Sequence, residues 1–570
     1  MPLHENIQRP ITVFLVLLSV GIAGSSPATA QRSQAGRTTE QFEAKASERA
    51  RKRAAPPIPE LAVRQQGADV KPLFVLAAVE LTGVTVLARD AIGGIYQPYL
   101  GKSVSQADLL RIADGITGLY RQEGYALTRA FVPAQDVKQE RIRIKVVEGY
   151  IGEVVLEGDG AERFGARGLL QAVTNERPVR LATLERHLLL LSDTPGLRIT
   201  DTALEEIGQA TGRFRLIVRL EAWRLFANVD LDNRGTPDIG PLQSFMSTAL
   251  NSGLVQGDTW TVNLSTIPDS PQELAYMGGA VDLPVGTQGA RIGVRASYSD
   301  LQPNGERRLL NTRTRTEEFG MYASLAPLRT RQASLKLTAL AGLRNAEEGD
   351  DSGTIYDDRI RALSLTADYQ VHDTYEGSNY FVVTLRRGLG VLGASEKGDF
   401  QLSRSDASGE FYKVYWGFTR YQRLGGPWSA LLSTTGQLAS SPLLQSEEFY
   451  LGGPLFGRAF ATGDLSGDSG MTGLLEVRLD QKHEVGHLKG YQLYAFLDTG
   501  IVWNRGSADH QSLSSYGAGL RLSLQDDLRA GFEVALPIDD HSPSNHDRGT
   551  RVFFSLSKSF KSCAQLSCSQ

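Results

Sequence analysis

The chain has 570 residues, too many for one ordinary domain. Its net charge of −4 excludes the global basic footprint of a nucleic-acid binder. A high glycine content (59 residues), 8% aromatics and no long apolar run beyond the N-terminus argue for strands and turns rather than helices. The mean hydropathy of −0.21 suits a soluble protein, but also a membrane barrel whose strands alternate apolar and polar residues.

The N-terminus reads as an export signal. Arg9 precedes the apolar run Ile11 to Ala23, and Ala28-Thr-Ala30 is a small-residue cleavage site. The run is shorter than the roughly 20 residues of a membrane-spanning helix, so residues 1–30 are expected to be removed after export. Only two cysteines occur, Cys563 and Cys568. A body without thiols fits an oxidising compartment. A local disulfide and two unpaired tail thiols both remain open.

Residues 31–72 begin the mature chain. Thr38 to Ala54 is rich in helix formers but has almost no apolar face, and Ala54-Ala-Pro-Pro-Ile-Pro breaks it into a linker. It reads as a solvated charged helix or as a polar plug in a water-filled lumen.

Two units of similar layout follow. In the first, a strand is expected over Phe74–Gly83, then a helix opened by Ser105 and running to Tyr120. A stop at Gly124, a strand over Tyr125–Val132 and an alternating strand over Arg141–Val147 complete it. In the second, strands are expected over Ile151–Gly158, Gly196–Ala203 and Arg213–Leu220, with helical stretches over Ala166–Ala172 and Leu181–Leu191. Units of roughly 75 residues with one order constitute an internal repeat, placed at 73–148 and 149–222.

From about Phe226 the pattern becomes period two. Leu335, Leu337, Ala339, Ala341 and Leu343 face one way while Lys336, Thr338, Gly342 and Arg344 face the other. Tyr516 to Leu524 and Val552 to Phe560 alternate likewise. After an export signal, this is what a transmembrane barrel requires, since every backbone group must pair in lipid. About sixteen strands fit between 226 and 560. The expected fold is therefore two α+β domains and an antiparallel transmembrane β-barrel. Turns at Val255–Asp258 and Gly425–Pro427 are short, whereas Arg344–Asp358, Gly390–Ala407 and Gly452–Gly470 read as long loops. A series of soluble β-sandwiches is the alternative.

His483-Glu-Val-Gly-His487 matches the HExxH zinc pattern. That chemistry needs both histidines on one helical face, and Gly486 and Gly490 argue for a turn. No catalytic residue, metal ligand or cofactor is assigned.

In the strand from Tyr491, parity puts Gln492, Tyr494, Phe496, Asp498 and Gly500 on one face. A charge there is affordable only in the lumen. The loop 452–470 carries a single arginine, Arg458, whose planar fork suits a carboxylate. From pattern alone, a luminal pair with Asp498 and a solvated loop arginine are equally open.

Leu119-Tyr-Arg-Gln-Glu-Gly124-Tyr125-Ala-Leu-Thr-Arg-Ala-Phe131-Val132-Pro133-Ala-Gln135, followed by Val146-Val-Glu148-Gly149, resembles the first POTRA domain of two-partner secretion transporters, the ShlB/FhaC/HecB haemolysin secretion and activation family. Val229 to Gly240 resembles that family's first barrel hairpin. Gly457-Arg458-Ala459-Phe460 resembles its Arg-Gly-aromatic loop motif, with Ala459 in the glycine's place. Phe496-Leu-Asp498-Thr-Gly500 resembles the strand motif that follows.

The resemblance covers residues 73–560. It implies an outer-membrane pore with periplasmic POTRA domains, a plug at 38–54, and Arg458 fixed on Asp498, worth about 1 kcal/mol in a wet lumen. A positive φ at Ala459 would strain it. The resemblance implies no cofactor. The partners it implies are a large secreted exoprotein held through its N-terminal secretion domain, outer-membrane lipid, and the barrel-assembly machinery. The family's terminal aromatic corresponds to Phe560, leaving 561–570 as a tail. A barrel-assembly factor of the same superfamily is the runner-up. A passive pore or adhesin and a secreted zinc enzyme follow.

Overall fold

The computed structural model describes residues 69–563 apart from 138–139, 159, 237 and 539–548. The export signal, residues 38–54 and Cys568 lie outside the described residues, as does the side chain of Cys563.

The first module comprises β1 (Pro72–Val75), β2 (Ala78–Thr82), α1 (Arg89–Tyr96), β3 (Ser103–Ser105), α2 (Gln106–Gln122), β4 (Arg129–Phe131) and β5 (Arg141–Val147). The single strand expected over Phe74–Gly83 is two strands in different sheets. It breaks where fully buried Leu76 turns into the core and β1 pairs with β3 instead. The strand expected over Tyr125–Val132 shrinks to three residues, because a turn closes from the Thr128 amide to the Tyr125 carbonyl. Helix α2 starts at Ser105, whose hydroxyl accepts from the Asp108 amide in a capping box, and its stripe of Leu109, Ile112, Ala113, Ile116 and Tyr120 faces the core.

The second module comprises β6 (Tyr150–Glu157), α3 (Ala166–Asn175), α4 (Leu181–Asp193), β7 (Leu197–Glu206) and β8 (Arg213–Asp232). Both modules order their sheets alike, β2-β5-β4 and β6-β8-β7, with the first pairing parallel and the second antiparallel.

The change of grammar at Phe226 is not a break in the chain. Strand β8 runs unbroken for 20 residues. Its first half completes the second module, and from Leu225 to Asp232 it pairs with β9 and with the last strand. One strand can serve both because side chains alternate irrespective of what covers each face.

The barrel continues through β9 (Gln243–Asn251), β10 (Thr259–Thr266), β11 (Leu274–Val285), β12 (Ala290–Leu301), β13 (Arg313–Arg329), β14 (Ala333–Asp350), β15 (Gly353–His372), β16 (Gly377–Gly388), β17 (Tyr412–Gly425) and β18 (Trp428–Ala439). A small hairpin, β19 (Phe449–Leu451) and β20 (Leu465–Gly467), precedes β21 (Ser469–Val485), β22 (Leu488–Trp503), β23 (His510–Leu524), β24 (Leu528–Pro537) and β25 (Arg551–Cys563). Without that hairpin, β8 to β25 form a closed antiparallel ring of sixteen strands.

Apolar side chains such as Leu363, Leu365, Phe381 and Leu385 are exposed on the outer face, while Arg344, Glu476 and Asp498 are buried inside. That inversion is the signature of a wall with lipid outside.

Arg344–Asp358 is not a loop. Strands β14 and β15 stay paired as far as Asp350↔Gly353, with one bulge between Glu348 and Gly349, leaving a two-residue turn, because polar residues can continue a ladder beyond the membrane. The last strand passes Phe560 to Cys563, since β8 offers a partner as far as Trp223. The side chain of Asn233 lengthens this seam, donating to the Val552 carbonyl at 3.0 Å and accepting from the Phe554 amide at 2.8 Å.

The second module is docked on the short-turn end of the barrel. Arg186 of α4 donates to the carbonyls of Ala326 (2.8 Å) and Gln288 (3.2 Å), Asp193 pairs with Arg329 at 2.6 Å, and Glu185 accepts from the Arg331 amide at 2.6 Å. We predict that Arg186→Ala speeds amide exchange in α4 about tenfold, roughly the effect of losing one charged hydrogen bond, while the barrel keeps its heat-modifiable gel mobility. Unchanged exchange in α4 would show that the docking does not depend on Arg186.

Candidate functional site

The segment between β18 and β21, residues 440–468, folds back into the lumen. Its glycines make the reversal possible: Gly452, Gly453 and Gly457 have φ of +96°, +108° and +70°, and a Cβ on Gly452 would lie 2.0 Å from the Ala461 carbonyl oxygen. Ala459 is not among the described residues with positive φ. The left-handed residue of the motif is Gly457, so alanine at 459 is unstrained. Ala459 and Phe460 are buried in an apolar cluster with Phe449, Leu451, Leu474, Tyr494 and Phe496. Gly500 leaves room for the loop's base, since a Cβ there would lie 2.5 Å from Leu451.

Arg458 meets three carboxylates. Its Nη1 donates to Glu533 Oε2 at 3.1 Å and lies 3.0 Å from Glu476 Oε2, while its Nε stands 4.0 Å from Asp498 Oδ2. Asp498 instead accepts from the Gly457 amide at 2.7 Å and from the Ser515 hydroxyl at 2.6 Å. The expected pair of Arg458 and Asp498 is thus an ionic contact beyond hydrogen-bond reach; the hydrogen-bonding acid is Glu533 on β24, and Glu476 on β21 is the closer ion pair.

The guanidinium lies 4.3 Å from the centre of the Phe496 ring. Glu533 also accepts from Arg234 (2.8 Å) and the Tyr494 hydroxyl (2.7 Å), and Glu476 from Arg478 (2.7 Å) and Arg521 (2.8 Å).

The lumen here is not wet. Arg458 is 6% exposed and Glu476 and Asp498 are 0% exposed. Removing one partner from such a group costs about 3–5 kcal/mol rather than the 1 kcal/mol of a solvated pair, because the remaining charges stay buried.

Parity placed Asp498 and Phe496, but Glu476, Glu533 and Arg234 were missed. The same count was available for two of them, since an acid in the middle of Leu474–Leu479 or Arg529–Pro537 must face the lumen. Nothing local in the sequence pairs Arg234 with them.

The POTRA motif residues brace the modules rather than line a cleft. Glu148 accepts from the Thr85 amide (2.8 Å) and hydroxyl, from the Val86 amide (3.2 Å) and from the Tyr120 hydroxyl (2.7 Å). Gln135 pairs with both backbone groups of Arg143 at 2.8 Å, extending the sheet edge past Phe131, Val132 and Pro133. Gly149 has no space for a side chain, with Leu127 about 2.5 Å from a Cβ.

Gly124, at φ +89°, ends α2, and its carbonyl accepts from the Leu181 amide of the second module. Tyr125 accepts from Arg180 at 3.2 Å, and the Arg129–Glu206 pair lies at 2.8 Å across the same joint.

His483 and Val485 end β21, and Gly486-His487 make the turn to β22. His487 contacts Gln525, and no helix brings the two histidines together.

A lipid-facing barrel of sixteen strands, continuous with α+β modules at its short-turn end and entered by a buried loop, is the architecture of an outer-membrane protein transporter. The chain belongs to the haemolysin secretion/activation protein family ShlB/FhaC/HecB, whose model matches residues 216–522, and a ShlB-type POTRA domain model matches residues 74–149.

It is 24% identical over 512 residues to the heme/hemopexin transporter protein HuxB of Haemophilus influenzae, covering 84% of this chain and 87% of that one. To the outer membrane transporter CdiB of Dickeya dadantii (strain 3937) it is 23% identical over 478 residues, covering 82% and 84%. The fold is similar to CdiB from Escherichia coli, with a TM-score of 0.75 at 20% identity over 94% of this chain and 100% of that one.

The protein is an outer-membrane transporter with periplasmic POTRA domains that exports a partner protein to the cell surface by two-partner secretion. Members of the family are transporters rather than enzymes.

Burial raises the Glu148 carboxyl, but the hydrogen bonds from Thr85, Tyr120 and Val86 outweigh it and hold the pKa below the usual range. A depressed folded pKa contributes stability above the unfolded value, lost as pH falls through the folded one. Glu148→Gln should lower exchange protection in α2 about tenfold at neutral pH, and the difference from the parent should shrink in acid. A pH-independent difference would assign the effect to packing instead.

Proposed function

We propose that the exported partner is one large exoprotein that passes through the barrel unfolded, and that the 440–468 loop is the part of the pore that shifts to clear its path. The observation that carries this reading is the buried clamp of Arg458 on Glu476 and Glu533, which holds a long extracellular loop inside the lumen. A loop serving only as a surface connection would have no reason to bury an arginine among carboxylates.

The partner's N-terminal secretion domain would be captured by the two POTRA modules. Strands β6 and β7 are the outer strands of the second module's sheet, and an extended peptide can add to such an edge. Docking of α4 on the barrel turns places that sheet at the pore entrance. The outer apolar belt would contact outer-membrane lipid, and the barrel-assembly machinery would insert the barrel. We assign no enzymatic step, nucleotide or metal, and read the HExxH stretch as a hairpin end.

Residues 38–54 would occupy the lumen at rest. Supporting this, the inner wall of β8–β13 carries buried side-chain atoms without a hydrogen-bond partner among the described residues: Asn228 Nδ2, Gln243 Oε1, Asn263 Oδ1, Ser299 Oγ and Thr316 Oγ1. A polar helix suits such a wall, because unpaired buried polar atoms are costly.

Arg458→Ala should cut secretion of the partner about tenfold or more, in proportion to the buried charge network it breaks, while leaving a folded, inserted barrel. Secretion at the parental level would remove the loop from the transport path. Deleting 38–54 should raise single-channel conductance in planar bilayers, and unchanged conductance would count against the plug.

A further inference from the structure

The loop that carries Arg458 is anchored at a second place, by a charge of the opposite sign. Glu447, in its N-terminal leg, is 2% exposed. Its carboxylate accepts from Arg386 through Nε (2.9 Å) and Nη2 (2.8 Å), pairs with Lys413 Nζ at 2.9 Å, and lies 3.5 Å from Arg344 Nη1. The backbone around it is held as well. Arg344 donates to the Ser446 carbonyl at 2.6 Å, and the Glu447 carbonyl accepts from Lys413 (2.9 Å) and Gln437 (3.0 Å). These cations stand on the inner faces of β14, β16 and β17. Arg344 is itself tied to Glu318 of β13 at 2.7 Å.

The two anchors lie on different parts of the ring. Counting from β8, the leg is held by the seventh, ninth and tenth strands (Arg344, Arg386, Lys413) and the tip by the twelfth and fifteenth (Glu476, Glu533). Between them β19 lies against β21 and β22, with Phe449 and Leu451 in one apolar cluster with Phe460. The eleven steps of chain from Glu447 to Arg458 therefore run along the inner wall from one anchor to the other.

We propose that Glu447 is a positioning residue for transport, the second latch of this loop. It clamps the leg to the β14–β17 wall independently of the Arg458 latch on the β21–β24 wall. The two latches have opposite polarity, a carboxylate among cations and a guanidinium among carboxylates, so neither end can settle in the other's site. The base of the loop is secured separately by buried Asp468, which accepts from Arg404 at 2.6 Å and from the Leu443 and Arg505 amides at 2.7 and 2.8 Å. Releasing one latch thus loosens one part of the loop while the base stays in place.

The inference deepens the reading of the loop as the moving part, and its test does not depend on a secreted partner. The full-length protein in lipid nanodiscs is followed by hydrogen–deuterium exchange. The Glu447 amide, bonded to the Leu444 carbonyl, and the Gln445 amide, bonded to Ser403, report on the leg. The Gly457 and Phe460 amides report on the tip.

Glu447→Gln should speed exchange in the leg about tenfold or more and leave the tip protected, Arg458→Ala should do the reverse, and Glu447→Asp should restore part of the protection. Parental exchange in the leg of a folded Glu447→Gln barrel would overturn the proposal, as would equal loosening of leg and tip by either single variant. If unpaired cations prevent Glu447→Gln from folding, Glu447→Gln/Arg386→Gln removes one of them. Fast exchange in its leg supports the latch, and slow exchange overturns it.

Discussion

The structure depends on closing a sheet in a medium that offers no hydrogen bonds. In lipid, every strand edge must find a partner, and here β25 finds it on β8. Because β8 also completes the sheet of the second periplasmic module, the strand that closes the pore is the strand that carries the module. No flexible linker separates the module from the pore. The arginine contacts of α4 with the barrel turns add a second, side-chain attachment at the same rim.

Closure also creates the environment in which the luminal charges act. Within the membrane span, outward positions are apolar by necessity, which leaves the polar side chains there for the interior. Where the returning loop covers that interior, carboxylates and guanidinium groups are shut away from water and held by one another and by aromatic rings. Arg458 on Phe496, Arg521 on Tyr494 and Arg234 on Phe553 lie within 4.3 Å of ring centres. The rings fit because the neighbouring strand supplies glycine, Gly517 opposite Phe496 and Gly519 opposite Tyr494. Such a network contributes modest net stability and strong geometric preference, since each buried charge is costly anywhere but in its own site.

Much of this was legible from periodicity. Alternation along β14, β22, β23 and β25 placed the lipid face, and parity along β22 placed Asp498 inside. Helical spacing and a capping residue located α2. The errors came where local pattern meets a nonlocal partner. Phe74–Gly83 reads as one strand, but β1 finds its partner in β3. Arg344–Asp358 reads as a loop because its residues are polar, yet the hairpin simply continues beyond the membrane. The last strand extends past Phe560 because of what β8 offers, far away in the chain at Trp223 to Ala227.

The sequence by itself determined the class of protein, the lipid-facing side of β14, β22, β23 and β25, and the residues of the loop and strand motifs. These follow from the two-residue period of a strand and from short contiguous motifs. Only the tertiary structure decided which charges meet. Arg458 reaches Glu476 and Glu533 before Asp498, the left-handed position is Gly457 rather than Ala459, and the leg of the same loop is held by Arg386 and Lys413. Those choices depend on which strands become neighbours around a closed ring, and on where a long loop lands inside it. No spacing along the chain encodes either distance.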